Sequence, residues 1–409
     1  MQHKVESNAE TKIEVRGLTK IFGKRVNRAK EMLKAGKTKP EILKATGATV
    51  GVDRADFSIK TGEIFVIMGL SGSGKSTTLR MLNRLIEPTD GQVLIDGDDI
   101  AKLDKQALRE VRRQKLSMVF QGFALLPNRT VLQNAAFGLE IQGMEKDERE
   151  MKANKALDLV GLNGFADQYP DQLSGGMQQR VGLARALASD AEILLMDEAF
   201  SALDPLNRRD MQDELLDLQE DMQKTIVFIS HDLNEALRIG DHIMIMKDGE
   251  IVQIGTPEEI LSQPADDYVE KFIEGVDRSQ VYTAANVMIR ANTVNIDRDG
   301  PRLAARRMRD NEISSLYVVD TKRKLVGILD ADDVRSAIDA GQKDLRSIVK
   351  SDVPTTKMDT PLADLLDAVS TTPVPFAVVD DHDRLRGIII RGAVLGALSG
   401  QEVNVNVNV

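Results

Sequence analysis

The run Gly69-Leu-Ser-Gly-Ser-Gly74-Lys75-Ser76 restricts this chain more than any other feature. It follows the apolar stretch Glu63 to Met68 and precedes a segment of helical period, Thr77 to Ile86, that stops before Pro88. Strand, glycine-rich loop and helix in that order make a phosphate-binding loop. Its glycines let the backbone curl so that successive N–H groups point inward, and the helix N-terminus adds partial positive charge. Gly69, Ser71, Gly72, Ser73, Gly74, Lys75, Ser76 and Thr77 are therefore expected to surround the phosphates of a nucleotide. Lys75 would reach the β and γ phosphates, and the Ser76 hydroxyl would ligate Mg²⁺.

A loop of this kind needs a parallel sheet behind it. From Ile13 to about Leu261, short β-branched runs such as Ile193 to Met196 and Thr225 to Ile229 alternate with longer helical stretches, the order of an α/β domain with a largely parallel sheet. The strand Ile193-Leu-Leu-Met ends in Asp197 and Glu198, where such a sheet presents its ligands. Asp197 is expected to hold Mg²⁺ and Glu198 to polarise an attacking water as general base. With 409 residues, the chain has room for two or three domains. No apolar run approaches the ~18 residues that span a bilayer. The polar segment Met1 to Glu10 does not read as a secretory signal. The absence of cysteine excludes disulfides and thiolate chemistry, and a net charge of −10 argues against a nucleic-acid partner.

Between the two phosphate-site motifs lies Leu173-Ser174-Gly175-Gly176-Met177-Gln178-Gln179-Arg180, and with it the sequence resembles the ATPases of ABC transporters. Other elements of that family follow in order: Gln121 in Val119-Phe-Gln-Gly, Ser201-Ala-Leu-Asp204 after the acidic pair, and His231 after the strand Ile226 to Ile229. The resemblance covers roughly the first 265 residues. It implies a head-to-tail dimer in which each ATP sits between one copy's P-loop and the other's Ser174, Gly175, Gly176 and Gln178. It also implies that Gln121 senses the metal and the water while touching a membrane partner, that His231 contacts the γ-phosphate, and that Asp204 lies at the dimer seam. Phe22, in Leu18-Thr-Lys-Ile-Phe-Gly23, matches the aromatic that stacks on adenine.

The stretch after Phe22 departs from the family. Lys24 to Lys44 carries eight basic residues (Lys24, Arg25, Arg28, Lys30, Lys34, Lys37, Lys39, Lys44) against Glu31 and Glu41. It reads as two short helices, with Thr38-Lys-Pro-Glu41 as a capping box. Docking on anionic lipid, which salt would screen, and a plain solvated face are both open readings. Beyond a break near Glu274 to Gln280, a unit appears twice at an offset of 60 residues: Leu316-Tyr-Val-Val-Asp320 with Leu325-Val-Gly327-Ile, and Phe376-Ala-Val-Val-Asp380 with Leu385-Arg-Gly387-Ile. Helical segments Leu303 to Met308 and Leu362 to Val369 precede the two copies. The repeat resembles a tandem pair of CBS domains, which implies an adenine mononucleotide or a cyclic dinucleotide as ligand. Asp333 matches that family's ribose-binding acid, whereas Ala393 stands at the second position.

The expected division is an ATPase domain over 1–275 with a basic insert at about 24–48, CBS repeats at 276–340 and 341–400, and a tail at 401–409. Insert and CBS pair together resemble the ATPases of bacterial importers for glycine betaine, proline and similar osmoprotectants. That implies an integral membrane permease, fused to or working with a substrate-binding protein, and a peripheral position on the cytoplasmic face of the membrane. An importer ATPase for another solute, such as an amino acid, and a soluble ABC ATPase stay open as alternatives.

Overall fold

Continuous apolar runs give the central strands of the first unit, because a strand covered on both faces has no polar side to show. The computed structural model describes residues 10–201 and 203–400, so the Val403 to Val409 alternation lies outside the described residues. They fall into two units that part between Glu274 and Gly275.

The first unit holds two sheets. Its strands are β1 (Thr11–Phe22), β2 (Thr49–Lys60), β3 (Ile64–Gly69), β4 (Asp90–Ile95) and β5 (Asp98–Asp99), then β6 (Leu116–Val119), β7 (Ile193–Asp197), β8 (Thr225–Ile229), β9 (His242–Lys247) and β10 (Glu250–Gly255). The smaller sheet has the order β2-β1-β4-β5 and is antiparallel, with buried residues alternating along β2. The larger has the order β10-β9-β3-β8-β7-β6 and is parallel except for its edge strand β10. Every residue of β3, β7 and β8 is buried. Between the sheets, Phe57 and Phe65 stack at 5.5 Å, inside a core with Ile13, Leu79, Leu195 and Met244. Register matters for function here. Gly69, Asp197 and Ile229 end the neighbouring strands β3, β7 and β8, so the loops that follow all emerge at one edge of the sheet.

The helix after the P-loop runs Lys75–Leu82, shorter than the expected stretch to Ile86. Asn83 leaves the helical conformation and Arg84 takes φ +55°, so the chain turns four residues before Pro88. Between β6 and β7 lies a helical subdomain that includes Lys146–Leu159 and Gly175–Ala188.

The basic segment is a helical hairpin, Val26–Lys34 and Lys39–Thr46, inserted between β1 and β2. Ala29, Leu33 and Ile42 are buried against Ile21, Ala48 and Val50 at the ends of those strands. The capping box forms: Glu41 N–H donates to Thr38 Oγ1 at 3.4 Å, and Thr38 N–H donates to Glu41 Oε2 at 2.8 Å.

The second unit contains the repeat as two three-stranded sheets, β11 (Thr293–Asn295), β12 (Ser315–Val319), β13 (Leu325–Asp330) and β14 (Thr355–Lys357), β15 (Phe376–Val379), β16 (Leu385–Ile389). In both copies the middle strand is parallel to the first and antiparallel to the last. An aspartate makes each tight turn: Asp320 Oδ1 accepts from the N–H groups of Lys322 and Lys324, and Asp380 Oδ1 from those of His382 and Arg384. These amide donors, chiefly Arg384, hold the Asp380 carboxyl down at about 2. The copies face each other. Leu325 N–H donates to Asp383 O and Leu385 N–H to Arg323 O, both at 3.0 Å, a reciprocal exchange that the 60-residue offset makes possible. Tyr317 is buried at this seam beside Ala377 and Leu385, and its hydroxyl donates to Pro375 O at 2.5 Å. Among the described residues, no helix is long and apolar enough to cross a membrane.

Candidate nucleotide site

β3 ends at Gly69, whose φ of +146° only glycine adopts readily, and the backbone then folds back on itself. Ser73 N–H donates to Leu70 O at 3.1 Å, while Lys75 Nζ donates to the carbonyls of Gly69 at 2.8 Å and Leu70 at 3.1 Å. Lys75 is 7 % exposed. Burial pushes its ammonium down from the ordinary lysine range, against the pull of Glu198 and Asp197. Ser73 is 3 % exposed and its Oγ has no partner among the described residues. A buried lysine spending its donors on two loop carbonyls fits a loop whose proper acceptors are phosphate oxygens.

The loop opens on a cavity of about 730 Å³, within the size range of small-molecule sites. Gly69, Ser71, Gly72, Gly74, Lys75, Ser76 and Thr77 line it, as do Phe22, Glu198 and His231. Ser73, expected among the nucleotide-contacting residues, belongs to the loop but does not line the cavity, because its hydroxyl turns back toward Gly69. Phe22 is 41 % exposed, with Lys20 Nζ 5.1 Å from its ring centre.

Oxygen donors converge at the loop's end. Ser76 Oγ donates to Asp197 Oδ1 at 3.0 Å, and Arg80 Nη2 donates to Asp197 Oδ2 at 3.0 Å. Asp197 is 1 % exposed. No group of three or more metal-binding side chains exists among the described residues. One hydroxyl and one carboxylate suit Mg²⁺, a hard cation that usually takes one or two protein oxygens and completes its shell with phosphate and water.

Glu198 sits between two further groups. Gln121 Nε2 donates to Glu198 Oε2 at 2.8 Å, and His231 Nδ1 stands 3.9 Å from the same oxygen. These three residues come from the loops after β6, β7 and β8, brought together by the parallel pairing of those strands. The His231 loop is held from beneath. Ser230 Oγ donates to Glu235, which also accepts from Gln212 Nε2 at 2.9 Å; burial raises the Glu235 carboxyl. The Glu198 carboxylate, which lines the cavity, is placed to take a proton from a water beside its phosphate end.

Ser174, Gly175, Gly176, Gln178 and Asp204 do not line this cavity. Ser174 caps the helix Gly175–Ala188, accepting from Met177 N–H at 3.3 Å, so its hydroxyl is already at a helix N-terminus. Gln178 donates to the carbonyls of Pro170 at 2.9 Å and Leu173 at 3.2 Å and so braces the preceding turn. Asp204 caps the next helix through Asn207.

Several participants escaped the sequence reading, Leu70 of the P-loop itself among them. Arg80 lies one helical turn after Ser76, a spacing that could have marked it as the partner of Asp197. Thr49, Gly51 and Phe272 line the cavity through tertiary approach alone.

Comparison with known proteins agrees with this geometry. Residues 52–201 match the family described as ABC transporter, and residues 284–340 and 345–400 each match the CBS domain. The glycine betaine/carnitine transport ATP-binding protein of Listeria monocytogenes is 63% identical over 396 residues, covering 97% of this chain and 100% of that protein. The glycine betaine transport ATP-binding protein of Bacillus subtilis is 60% identical, with 97% and 94% covered. The glycine betaine/proline betaine transport system ATP-binding protein of Escherichia coli is 52% identical, with 96% and 99% covered. Among solved structures, the dimeric structure of a bacterial ABC transporter cassette is 36% identical with a TM-score of 0.51, covering 60% of this chain and 98% of its own. A dimeric post-hydrolysis state of an ATP-binding cassette with ADP and Pi gives 35% and 0.52 over the same shares.

Proposed function

Since the chain belongs to the ATP-binding proteins of glycine betaine ABC transporters, and is thus an ABC-type ATPase with a tandem CBS module, we propose that it powers import of glycine betaine or a related quaternary amine through a membrane permease. The observation that carries the chemistry is the Glu198 carboxylate, held by Gln121 at 2.8 Å and faced by His231 at 3.9 Å at the mouth of the P-loop cavity.

ATP is the substrate. Lys75 gives up its bonds to Gly69 O and Leu70 O in favour of β and γ phosphate oxygens, and the N–H groups of Gly72, Gly74, Lys75 and Ser76 hold the rest. Ser76 Oγ and the Asp197 carboxylate would hold Mg²⁺, which when bound neutralises charge on the phosphates. Glu198 orients water for in-line attack and accepts its proton, Gln121 fixes the carboxylate, and His231 donates toward the γ-phosphate.

The second half of each site comes from a second copy. Ser174 and Gly176 start a helix whose N-terminus can face phosphate, yet they lie apart from their own chain's cavity. A head-to-tail dimer supplies them in trans, with Asp204 at the seam. ATP thereby favours the closed dimer and hydrolysis reopens it, a cycle that drives a permease at the cytoplasmic face of the bacterial membrane. A substrate-binding protein, separate or fused to the permease, delivers the solute.

Residues 1–275 are the ATPase part, and the repeats at 276–340 and 341–400 regulate it. Lys350 Nζ lies 2.7 Å from Asp333 and 3.2 Å from Asp330, so the matched ribose acid is ion-paired; a nucleotide there must compete with that lysine. In the insert, Lys30 and Lys34 pair with Asp90, Lys37 with Glu41 and Lys39 with Glu250. Among the described residues Lys24, Arg25, Arg28 and Lys44 have no ion pair, so they are the part we assign to anionic lipid and to ionic-strength sensing.

The test is transport. The chain and its permease, purified together and rebuilt in anionic vesicles with ATP inside, should take up glycine betaine faster at high internal salt. Glu198→Gln should stop uptake. ATP hydrolysis without betaine uptake at any salt concentration would remove the osmoprotectant reading and leave the ABC ATPase.

A further inference from the structure

The ATPase unit ends in a six-residue helix, Asp267–Phe272, two residues before the second unit begins. Phe272 is half-buried and lines the same cavity as Phe22 and the P-loop. Its position is built in. One turn back, Tyr268 packs against it at 5.9 Å between ring centres, and Lys247 Nζ lies 4.6 Å over the Tyr268 ring. The Tyr268 hydroxyl is buried close to the Leu70 backbone without a hydrogen-bond partner among the described residues. Lys247 is the last residue of β9, whose Met246 pairs with Gly69. Backbone pairing thus sets the stack of Lys247, Tyr268 and Phe272 in register with the phosphate loop.

A phenyl ring has neither charge nor donor to offer a phosphate. What it can offer is a flat apolar face to a sugar or a base. We propose that Phe272 is a nucleoside-contacting residue of the ATP site, closing with Phe22 an aromatic enclosure around the part of the nucleotide that the P-loop does not touch. This rests on the ATP-site assignment above. It also gives bound nucleotide a direct hold on the helix from which the chain continues into the CBS repeats.

The chain contains no tryptophan, so Phe272→Trp introduces a single tryptophan that can be excited at wavelengths where tyrosine does not absorb. In a Glu198→Gln background of the full chain, ATP should shift or quench that emission saturably over the range in which radiolabelled ATP is retained. Tripolyphosphate, which fills the P-loop but has no nucleoside, should displace ATP and leave the emission unchanged. Phe272→Ala should raise the apparent Kd for ATP about tenfold, as loss of a base–aromatic contact would, and leave that for tripolyphosphate unaltered; Phe272→Tyr should restore it. Equal responses to ATP and tripolyphosphate would overturn the proposal, as would no response while ATP is bound. Failure of the unaltered chain to retain ATP would overturn the site assignment itself and this proposal with it.

Discussion

Glu198 takes φ +48°, a left-handed conformation that costs a side-chain-bearing residue some strain and that turn residues such as Arg84 and Asp96 also adopt. The turn is stabilised where it can be: Ser201 N–H and Oγ both donate to Glu198 O, at 3.2 and 2.9 Å. With Gln121 holding the carboxylate, Glu198→Gln should keep ATP binding and lose about 10²- to 10⁴-fold in hydrolysis, read as single-turnover rate against nucleotide affinity. A second residue-scale effect concerns stability. Glu63 lies 2.6 Å from His242 Nδ1 and raises that imidazole above its ordinary 6.5. The raised folded-state value means that this contribution is complete below about 6.5 and is lost as pH rises through the higher folded value. Urea midpoints should therefore fall from pH 6 to pH 9 in the unaltered protein, and fall less in His242→Gln. At this scale the phosphate residues were legible, because P-loop chemistry depends on consecutive residues. Arg80 was legible only in part: its place one turn after Ser76 is local, but its pairing depends on where Asp197 arrives from a strand more than a hundred residues later.

Among the elements, the inserted hairpin was readable because capping is local: Thr38 and Glu41 are three residues apart and satisfy each other. Thr38→Ala should cost about 1 kcal/mol, and amide exchange in Lys39–Thr46 should speed by about fivefold relative to the β3 core. The helix after the P-loop was overread, since the apolar period continues to Ile86 although the chain turns at Asn83. The CBS repeat was legible in its turns, where Asp320 and Asp380 do the same work. The seam between copies was not, for Tyr317 looks like any strand aromatic until Pro375 O is seen to need its hydroxyl. Tyr317→Phe leaves that carbonyl without its donor and should destabilise the second unit by about 1–3 kcal/mol, measurable as a lower denaturation midpoint.

For the whole molecule, the strongest expectation is that the site is shared. Lys75→Ala disables a P-loop and Ser174→Arg blocks the N-terminus of the helix Gly175–Ala188, so either homodimer should be inactive. Mixed, half the dimers place both lesions in one site and leave the other intact. About a quarter of unaltered ATPase activity should return. No recovery would mean that Ser174 serves its own chain's P-loop. Phe272 belongs to this scale too, because nothing near it in sequence announces a nucleotide. Another long-range meeting has wider reach. A Cβ on Gly74 would lie 2.7 Å from Gly51 O, one on Gly249 would lie 2.6 Å from the same oxygen, and one on Gly51 would lie 2.7 Å from the Phe22 ring. The P-loop and the Phe22 ring thus both pack against one residue that has no side chain to rearrange. The spacing between the phosphate loop and the Phe22 ring is held by main chain, and a side chain at position 51 would have to push the ring away.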